Sequence, residues 1–227
     1  MLDYHDSQLW AIDPQTLLVR WKLAVPGEPS SLTVGQGSVW VTVCCRQHRV
    51  ELLRIDPLTR RVLRRAPLSG SDIARVRVGV EGVWVAVEAR DDLYRLDPST
   101  LDVIAKVHLG APTTSTIDFE LGSDWVWAVD SRSRIVQINP TTGAIFKRSS
   151  PMDADQEAMV LAVSSDACYV SADGQVVRLD ERTLRPSGHA SVGPLSDIMI
   201  AGAGLVWTSS AQGLHRVTLP TVGPPAG

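Results

Sequence analysis

The sequence predicts an all-β protein made of four-stranded antiparallel sheets that repeat about every 42 residues. Three observations predict this fold class. An aromatic residue recurs inside short β-branched segments, and a turn motif of the form Arg-Ile-Asp-Pro-x-Thr recurs with the same period. No stretch of useful length shows the periodicity of an amphipathic helix.

The aromatic series marks one strand of each repeat. It begins with Gly-Ser-Val-Trp-Val-Thr-Val at 37–43 and continues with Gly-Val-Trp-Val-Ala-Val at 82–87. The aromatic positions, which are 44, 43, 42 and 38 residues apart, are Trp40, Trp84, Trp127, Tyr169 and Trp207. We expect these large flat side chains to fill the space between neighbouring sheets.

The turn series runs out of phase with the aromatic series. Its Asp or Asn positions, which are 43, 41, 42 and 41 residues apart, are Asp13, Asp56, Asp97, Asn139 and Asp180. Proline fixes φ at the second position of a turn, and the Asp or Asn side chain accepts backbone N–H groups there. The motif therefore predicts the tight turn between the third and fourth strands of each sheet.

Within one period the sequence predicts four strands. The segment 75–109 divides into four runs that are rich in β-branched residues and bounded by glycine, proline or aspartate. Four short strands per period are typical of a β-propeller blade, whose strands are named A to D outward from the axis. The predicted propeller covers 1–219, with C and D strands at 8–25, blades at about 30–68, 75–109, 116–149 and 159–192, a last partial blade at 196–218, and a Pro/Gly-rich tail at 220–227.

The number of blades stays open between two predictions. The five inner A–B hairpins make five blades if the ring closes and the N-terminal strands complete the last blade. Alternatively, the chain is a fragment of a six- to eight-bladed ring, since it opens halfway through a blade. An unclosed array would expose strand edges that natural proteins usually cap, whereas the Pro-containing tail favours a genuine C-terminus.

Composition and charge argue against several function classes. The net charge of −3 at pH 7 gives no general attraction to phosphate backbones, so we predict no nucleic-acid partner. No apolar run is long enough to span a bilayer, which predicts no membrane insertion. Because the first residues show no signal peptide, the chain as it stands is predicted to be soluble and cytoplasmic, or extracytoplasmic if its N-terminus is truncated.

The two series together resemble a known superfamily. Gly-x-Val-Trp-Val followed by Arg-Ile-Asp-Pro-x-Thr is similar to the repeats of bacterial YVTN-type, PQQ-like and streptogramin-lyase-like β-propellers, over nearly the whole chain. The quinoproteins of this group carry a glycine after the threonine and a final tryptophan, and they hold a quinone and usually calcium in the central channel. Residues 11–21 keep the tryptophan as Trp21, but Leu17 stands in place of the glycine. We therefore predict no cofactor.

The resemblance to streptogramin lyases implies a site of His and Glu side chains with magnesium at the centre of the ring. Of the five histidines here, only His48 lies in a loop of the face that would carry such a site. We predict no metal site, and no Gly stands where an EF-hand-type loop at 152–157 would need one.

The inner A strands supply the strongest candidate site residues. Arg75 and Arg77 alternate along one A strand, while Asp118 and Glu120 take the matching positions on the next. These four residues either form one charged side of a channel that binds a small polar ligand, or they pair with one another as salt bridges between blades. Polar loops on the same face supply weaker candidates, namely Arg46, His48, Glu88, Asp130, Asp153 and Asp155.

The sequence favours a non-catalytic β-propeller that acts as a ligand-binding or protein-interaction module. Its partner would be an unidentified small polar ligand or a protein. An alternative is a metal-dependent lyase or hydrolase with its site at the channel mouth, and a weaker alternative is a quinone-dependent dehydrogenase. Fold markers such as these repeats are shared by many functions, so they do not separate the three hypotheses.

Overall fold

The computed structural model describes residues 1–45, 49–68, 74–87, 92–110, 118–152, 160–164, 167–172, 174–192, 199–202, 205–210 and 213–218. The chain divides into two compact units, Met1–Thr114 and Ser115–Gly227. Throughout the described ranges every strand pairing is antiparallel and no residue is helical, which confirms the predicted all-β class. It follows that no described segment is a helix of the length and apolar character that a bilayer crossing requires.

The described residues of the first unit form three sheets. The first sheet has three strands in the order β1 (Leu2–Asp3), β2 (Gln8–Ile12) and β3 (Val19–Ala24). The second has four, namely β4 (Glu28–Gly35), β5 (Ser38–Cys45), β6 (Arg49–Asp56) and β7 (Arg61–Leu68). The third runs through β8 (Ala74–Gly79), β9 (Gly82–Val87), β10 (Asp92–Leu96) and β11 (Val103–His108). The two-residue strand β1, which pairs with β2, is an addition that the sequence pattern does not predict.

In the second unit, too, the residues that the structure describes form three sheets. Its first two have four strands each: β12 (Phe119–Leu121), β13 (Val126–Val129), β14 (Ile135–Ile138) and β15 (Ile145–Arg148), then β16 (Val160–Val163), β17 (Cys168–Ala172), β18 (Gln175–Leu179) and β19 (Pro186–Ser191). The last sheet has three described strands, β20 (Met199–Gly202), β21 (Leu205–Ser210) and β22 (Gly213–Val217). In every sheet, strands that are consecutive in sequence are neighbours in space, as expected for up-and-down blades.

The turn before the outermost strand is closed by the Asp or Asn side chain, as predicted. This turn joins the third and fourth strands of the four-stranded sheets, and it joins β2 to β3 in the three-stranded first sheet. Oδ1 of Asp13 accepts hydrogen bonds from the backbone amides of Gln15 and Thr16, both at 2.9 Å. Oδ1 of Asn139 accepts the two equivalent bonds at the same distance. The other members of the series bind turn amides in the same way; they are Asp56, Asp97 and Asp180.

The fourth residue after each Asp or Asn of this series has a left-handed backbone. Gly143 adopts this conformation with φ of 72°, which suits a residue without a Cβ atom. The other four positions are not glycine but have φ between 57° and 65°, and they are Leu17, Arg60, Leu101 and Leu184. The glycine of the turn motif is therefore explained by the left-handed backbone conformation at this position. Leucine at residue 17 indicates local strain and says nothing about a cofactor.

The strand that follows each of these turns contains one bulged residue, seven positions after the Asp or Asn of the turn. The pairing register shifts at the same place in all five β-ladders between that strand and the strand before the turn. The residues left without a cross-strand partner are Arg20, Leu63, Ile104, Phe146 and Ser187. A bulge on an edge strand interrupts its row of hydrogen-bonding groups, which protects that edge from pairing with another polypeptide.

Two tryptophans of the aromatic series, Trp40 and Trp127, lie in the cores between neighbouring sheets. Trp40 is fully buried and belongs to one apolar cluster with Val76 of the next sheet. In the second unit Trp127 belongs to a cluster with Leu161 of the following sheet. This confirms for Trp40 and Trp127 the prediction that the recurring aromatic side chain fills the space between sheets, whereas Trp207 in the last sheet is 36% exposed and does not fill such a space.

Candidate functional site

The strand registers place the four charged A-strand residues at equivalent positions of their sheets. Arg77 of β8 lies opposite Trp84, and Glu120 of β12 lies opposite Trp127. Arg75 and Asp118 each stand two residues earlier in the sequence. The arginines belong to the first unit and the acids to the second, so each pair is described within its own unit.

Arg75 lines a cleft of about 540 Å³ in the first unit. The other lining residues are Met1, Leu2, Tyr4, Ser30, Ser31 and Leu32. The Arg75 side chain is half-buried in its wall, whereas Tyr4 is 63% exposed. Arg77, which is also half-buried, donates a hydrogen bond from Nη1 to the carbonyl oxygen of Val76 at 3.1 Å.

Two serines fix the wall of this cleft against β8. Oγ of Ser30 donates to the carbonyl oxygen of Ala74 at 2.9 Å, and Oγ of Ser31 accepts from the amide of Val76 at 3.2 Å. Thr42 of β5 also donates to the Ala74 carbonyl, at 2.8 Å. These bonds join the sheet of β4 to the sheet of β8 and hold the backbone that carries Arg75.

Asp118 joins two sheets of the second unit. Its side chain is buried, and Oδ2 accepts a hydrogen bond from the amide of Leu161 at 2.7 Å. Glu120 is half-buried two residues further on. Burial raises the pKa of the neighbouring Cys168 thiol, and the negative charges of Asp118 and Glu120 raise it further, so this thiol stays protonated at neutral pH.

Asp130 is held by its own hairpin. Its side chain is completely buried, and Oδ1 accepts from the amides of Arg132 and Arg134 at 2.9 and 3.1 Å. Nε of Arg134 donates to Oδ2 at 2.8 Å, and Nη2 lies 2.6 Å from the same oxygen. Nε of Arg148 lies 3.7 Å from Oδ2. The carboxylate therefore stabilises the turn between β13 and β14. The remaining loop candidates, Arg46, His48, Glu88, Asp153 and Asp155, lie outside the described residues.

The structure brings together one polar cluster that the sequence pattern did not reveal. Asp92, the buried first residue of β10, contacts Nζ of Lys106 through Oδ2 at 2.9 Å and Nδ1 of His108 through Oδ1 at 3.0 Å. The hydroxyl of Tyr94 donates to Oδ2 of Asp92 at 3.3 Å. Asp92 and His108 are cross-strand partners. Their contact could have been predicted from the sequence if the turn and the bulged residue had been used to set the pairing register of β10 and β11.

The pKa values of Asp92, Lys106 and Tyr94 are shifted by their surroundings. Burial raises the pKa of the Asp92 carboxyl, but hydrogen bonds from Lys106 and His108 outweigh burial and leave that pKa below its usual value. The hydrogen bond with Asp92 raises the pKa of Lys106. Burial, with the Asp92 charge beside it, raises the pKa of Tyr94. The cluster is thus an ion-pair network that joins β10 to β11. Among the described residues, no group of three or more His, Cys, Asp or Glu side chains is arranged to hold a metal ion.

The comparisons with known proteins identify the fold. No protein-family model matches the chain, and no curated protein matches it. Among 1139 matching chains of solved structure is the β-propeller BamB from Moraxella catarrhalis, with a TM-score of 0.65 and 15% sequence identity. The chain is a β-propeller. The match covers 93% of this chain and 63% of the BamB chain, so the chain spans less than two thirds of the BamB length.

At 15% identity the likeness to BamB shows the fold alone. The relation to YVTN-type, PQQ-like or streptogramin-lyase-like propellers therefore stays a prediction from the repeat motifs. The site residues also stay predictions. Function has to be argued from the clefts and charges of this protein.

Proposed function

We propose that the chain is a non-catalytic β-propeller module that binds a carboxylate-bearing partner in the cleft beside Arg75. The partner is a small polar ligand or a protein segment that presents a carboxylate, such as the C-terminal carboxylate of a peptide. A propeller fold can carry many kinds of binding site, and the proposal assigns a defined chemistry to one of them.

The composition of the cleft wall carries this proposal. Of the lining residues, Arg75 alone has a side chain that is charged at neutral pH. The volume of about 540 Å³ lies in the range of small-molecule sites. A half-buried cation in a cleft without an acidic lining residue favours an anionic ligand.

The chemistry of the wall suits a carboxylate more closely than a metal or a cation. The guanidinium of Arg75 offers a planar pair of donors that matches the two oxygens of a carboxylate. Tyr4, Leu2 and Leu32 provide an aromatic and apolar surface beside it for the body of the ligand.

The repeat shows that the fold does not need an arginine at this position. The residue equivalent to Arg75 is Ser31 in the preceding sheet, and it is Asp118 and Val160 in two sheets of the second unit. A hydroxyl, an acid and an apolar residue all occupy the same backbone position. Arginine at residue 75 is therefore a local feature of one sheet, as a binding residue would be.

The test uses two probes that differ only at the carboxylate. N-acetyl-phenylalanine and its amide are titrated into the ¹⁵N-labelled protein, and amide shifts are followed by NMR. We expect the acid to shift the amides of Ser30, Ser31 and Arg75, and we expect the amide probe to have little effect. Arg75→Met should weaken binding of the acid about tenfold or more, since a charge-assisted bidentate contact is lost.

The matched control is Arg64→Met, which removes an exposed arginine of β7 in the same unit. This variant should bind the acid as the wild type does. Equal binding of the acid by the wild type and Arg75→Met, or equal shifts with the acid and the amide probe, would show that Arg75 is not a carboxylate site.

A further inference from the structure

A second groove lies in the second unit, between the residues that follow β15 and the strands β18 and β19. It has a volume of about 570 Å³. The lining side chains that matter here are Arg148, Met152, Val177, Leu184, Arg185 and Pro186. We propose that this groove binds a small amphipathic anion, a molecule with one carboxylate or sulfonate group on an apolar body. This site is separate from the Arg75 cleft.

The floor of the groove is apolar. Leu184 is 3% exposed, and Val177 and Met152 pack with it in one hydrophobic cluster. Pro186 lines the groove next to this cluster. An apolar floor of this kind favours the hydrocarbon or aromatic part of a ligand.

The rim of the groove is cationic. Arg148 and Arg185 line it, and none of the described lining residues is an acid. Arg148 lies 3.7 Å from Oδ2 of Asp130, and that oxygen is already bound by Arg134 at 2.6 and 2.8 Å. Asp130 thus supplies one negative charge to two arginines, Arg134 and Arg148, and Arg185 adds a further positive charge at the rim, so the excess of positive charge favours an anionic group.

The earlier repeat of β10 and β11, in the first unit, shows how a larger residue fills the counterpart of this groove. The position of Val177, three residues before the turn aspartate, is occupied by Tyr94 in the earlier repeat. Tyr94 is 6% exposed and packs with Ala66, Leu68 and Leu101, so its ring fills the space that valine leaves open. Valine at residue 177 therefore leaves room that a tyrosine ring would fill.

The charge at the rim also differs between these two repeats. Arg185 follows the turn aspartate by five residues, and the equivalent residue of the earlier repeat is Asp102. The repeat of β18 and β19 has thus both an open groove and a cation at its rim, whereas the repeat of β10 and β11 has a filled groove and an acid. Neither feature is required by the blade fold, since the repeat of β10 and β11 lacks both.

The experiment titrates the full-length protein with 8-anilinonaphthalene-1-sulfonate, an amphipathic anion whose fluorescence rises in an apolar site. We expect saturable binding at one site per molecule. Decanoate or 2-naphthoate should displace the dye, whereas decanol, which lacks the anionic group, should not. Displacement by decanoate alone would assign the site to fatty-acid-like ligands, and displacement by 2-naphthoate alone would assign it to aromatic acids.

Two kinds of variant test the two halves of the site. Val177→Tyr copies the repeat of β10 and β11 and should obstruct the groove. In that repeat the Tyr94 hydroxyl donates a hydrogen bond to Asp92, and Gln175 stands at the position equivalent to Asp92. The double variant Arg148→Met/Arg185→Met keeps the groove but removes its charge, and it should weaken dye binding about tenfold or more. Arg132→Met, which removes an exposed arginine outside the groove, and Arg75→Met should both bind as the wild type does.

Circular dichroism and thermal unfolding confirm that each variant is folded before it is titrated. If Val177→Tyr does not fold, the double arginine variant still decides the question. Unchanged dye affinity in the folded variants, no saturable binding by the wild type, or equal displacement by decanol would each overturn the proposal.

Discussion

Replacing Leu17 by glycine should stabilise the protein, although it removes a large apolar side chain. Leu17 has a left-handed backbone with φ of 58°, and 76% of its surface is exposed. The left-handed conformation costs a non-glycine residue about 1–2 kcal/mol, while glycine costs about 0.5–1 kcal/mol through the greater freedom of the unfolded chain. The difference predicts a gain of about 0.5–1 kcal/mol in the free energy of unfolding for Leu17→Gly.

The same substitution at Leu101 should have the opposite effect. Leu101 has nearly the same backbone, with φ of 65°, but it is 5% exposed and packs in the core between two sheets of the first unit. Truncating a buried leucine to alanine typically costs about 2–5 kcal/mol. Relief of backbone strain offsets only part of this cost, so Leu101→Gly should lose about 2–4 kcal/mol.

Thermal and urea unfolding of the two variants and the wild type measure these differences. For a protein of this size, the expected gain at Leu17 corresponds to an increase in Tm of about 1–3 °C. Gly143→Ala provides the converse control, because it places a Cβ atom at the same left-handed position, where φ is 72°. A loss of stability in Leu17→Gly comparable to that in Leu101→Gly would show that the left-handed turn residue is not strained.

Three further predictions concern the turns, the sheet contacts and the buried acid. Hydrogen bonds from the backbone amides of Thr100 and Ser99 lower the pKa of Asp97. The ionised carboxylate therefore stabilises the folded protein fully above about pH 4, and this contribution is lost as pH falls through the lowered pKa. Asp97→Asn should accordingly make the free energy of unfolding, measured with urea between pH 5 and 3, less sensitive to acid. A Cβ atom at Gly35 would overlap Cγ1 of Val78, so Gly35→Ala should cost about 1–3 kcal/mol in unfolding free energy, and adding Val78→Ala should recover part of it. Asp130→Asn should cost about 3 kcal/mol by calorimetry, because the buried side of Arg134 then faces an uncharged amide; a loss below about 0.5 kcal/mol would contradict this role.

The repeat allowed most of the fold to be predicted from sequence, because each period is one supersecondary unit with its own turn chemistry. The turn aspartates and the interior position of Trp40 and Trp127 follow from residue type and spacing alone. The strand β1 did not follow, since two residues carry no periodicity. The bulges did not follow either, because a bulged residue such as Phe146 looks like any strand residue until its pairing register is known.

The candidate sites were less predictable for a physical reason. Asp92 and His108 meet only because β11 contains a bulged residue where it pairs with β10. The bulge shifts by one residue the order in which the side chains of β11 alternate between the two faces of the sheet. The groove beside Val177 depends on volume, and valine and tyrosine are equally acceptable in a strand pattern. Arg75 stands out in the sequence because its charge contrasts with the acid Asp118 at the matching position of the next A strand, but the cleft around it involves β1, which was not predicted.

A repeat protein therefore offers an internal test that separates fold from function. A residue that the fold requires recurs, so replacing it with another type should cost stability, whereas a residue that departs from the repeat can be replaced by its counterpart at little cost. Arg75→Ser copies Ser31 of the preceding sheet, and it should change the free energy of unfolding by less than about 1 kcal/mol while it weakens carboxylate binding about tenfold or more. Asp97→Ala, which removes a recurring residue, should lower stability by about 1 kcal/mol and leave binding intact. Loss of both properties in Arg75→Ser would mean that Arg75 supports the sheet contacts and that its cleft is a consequence of packing.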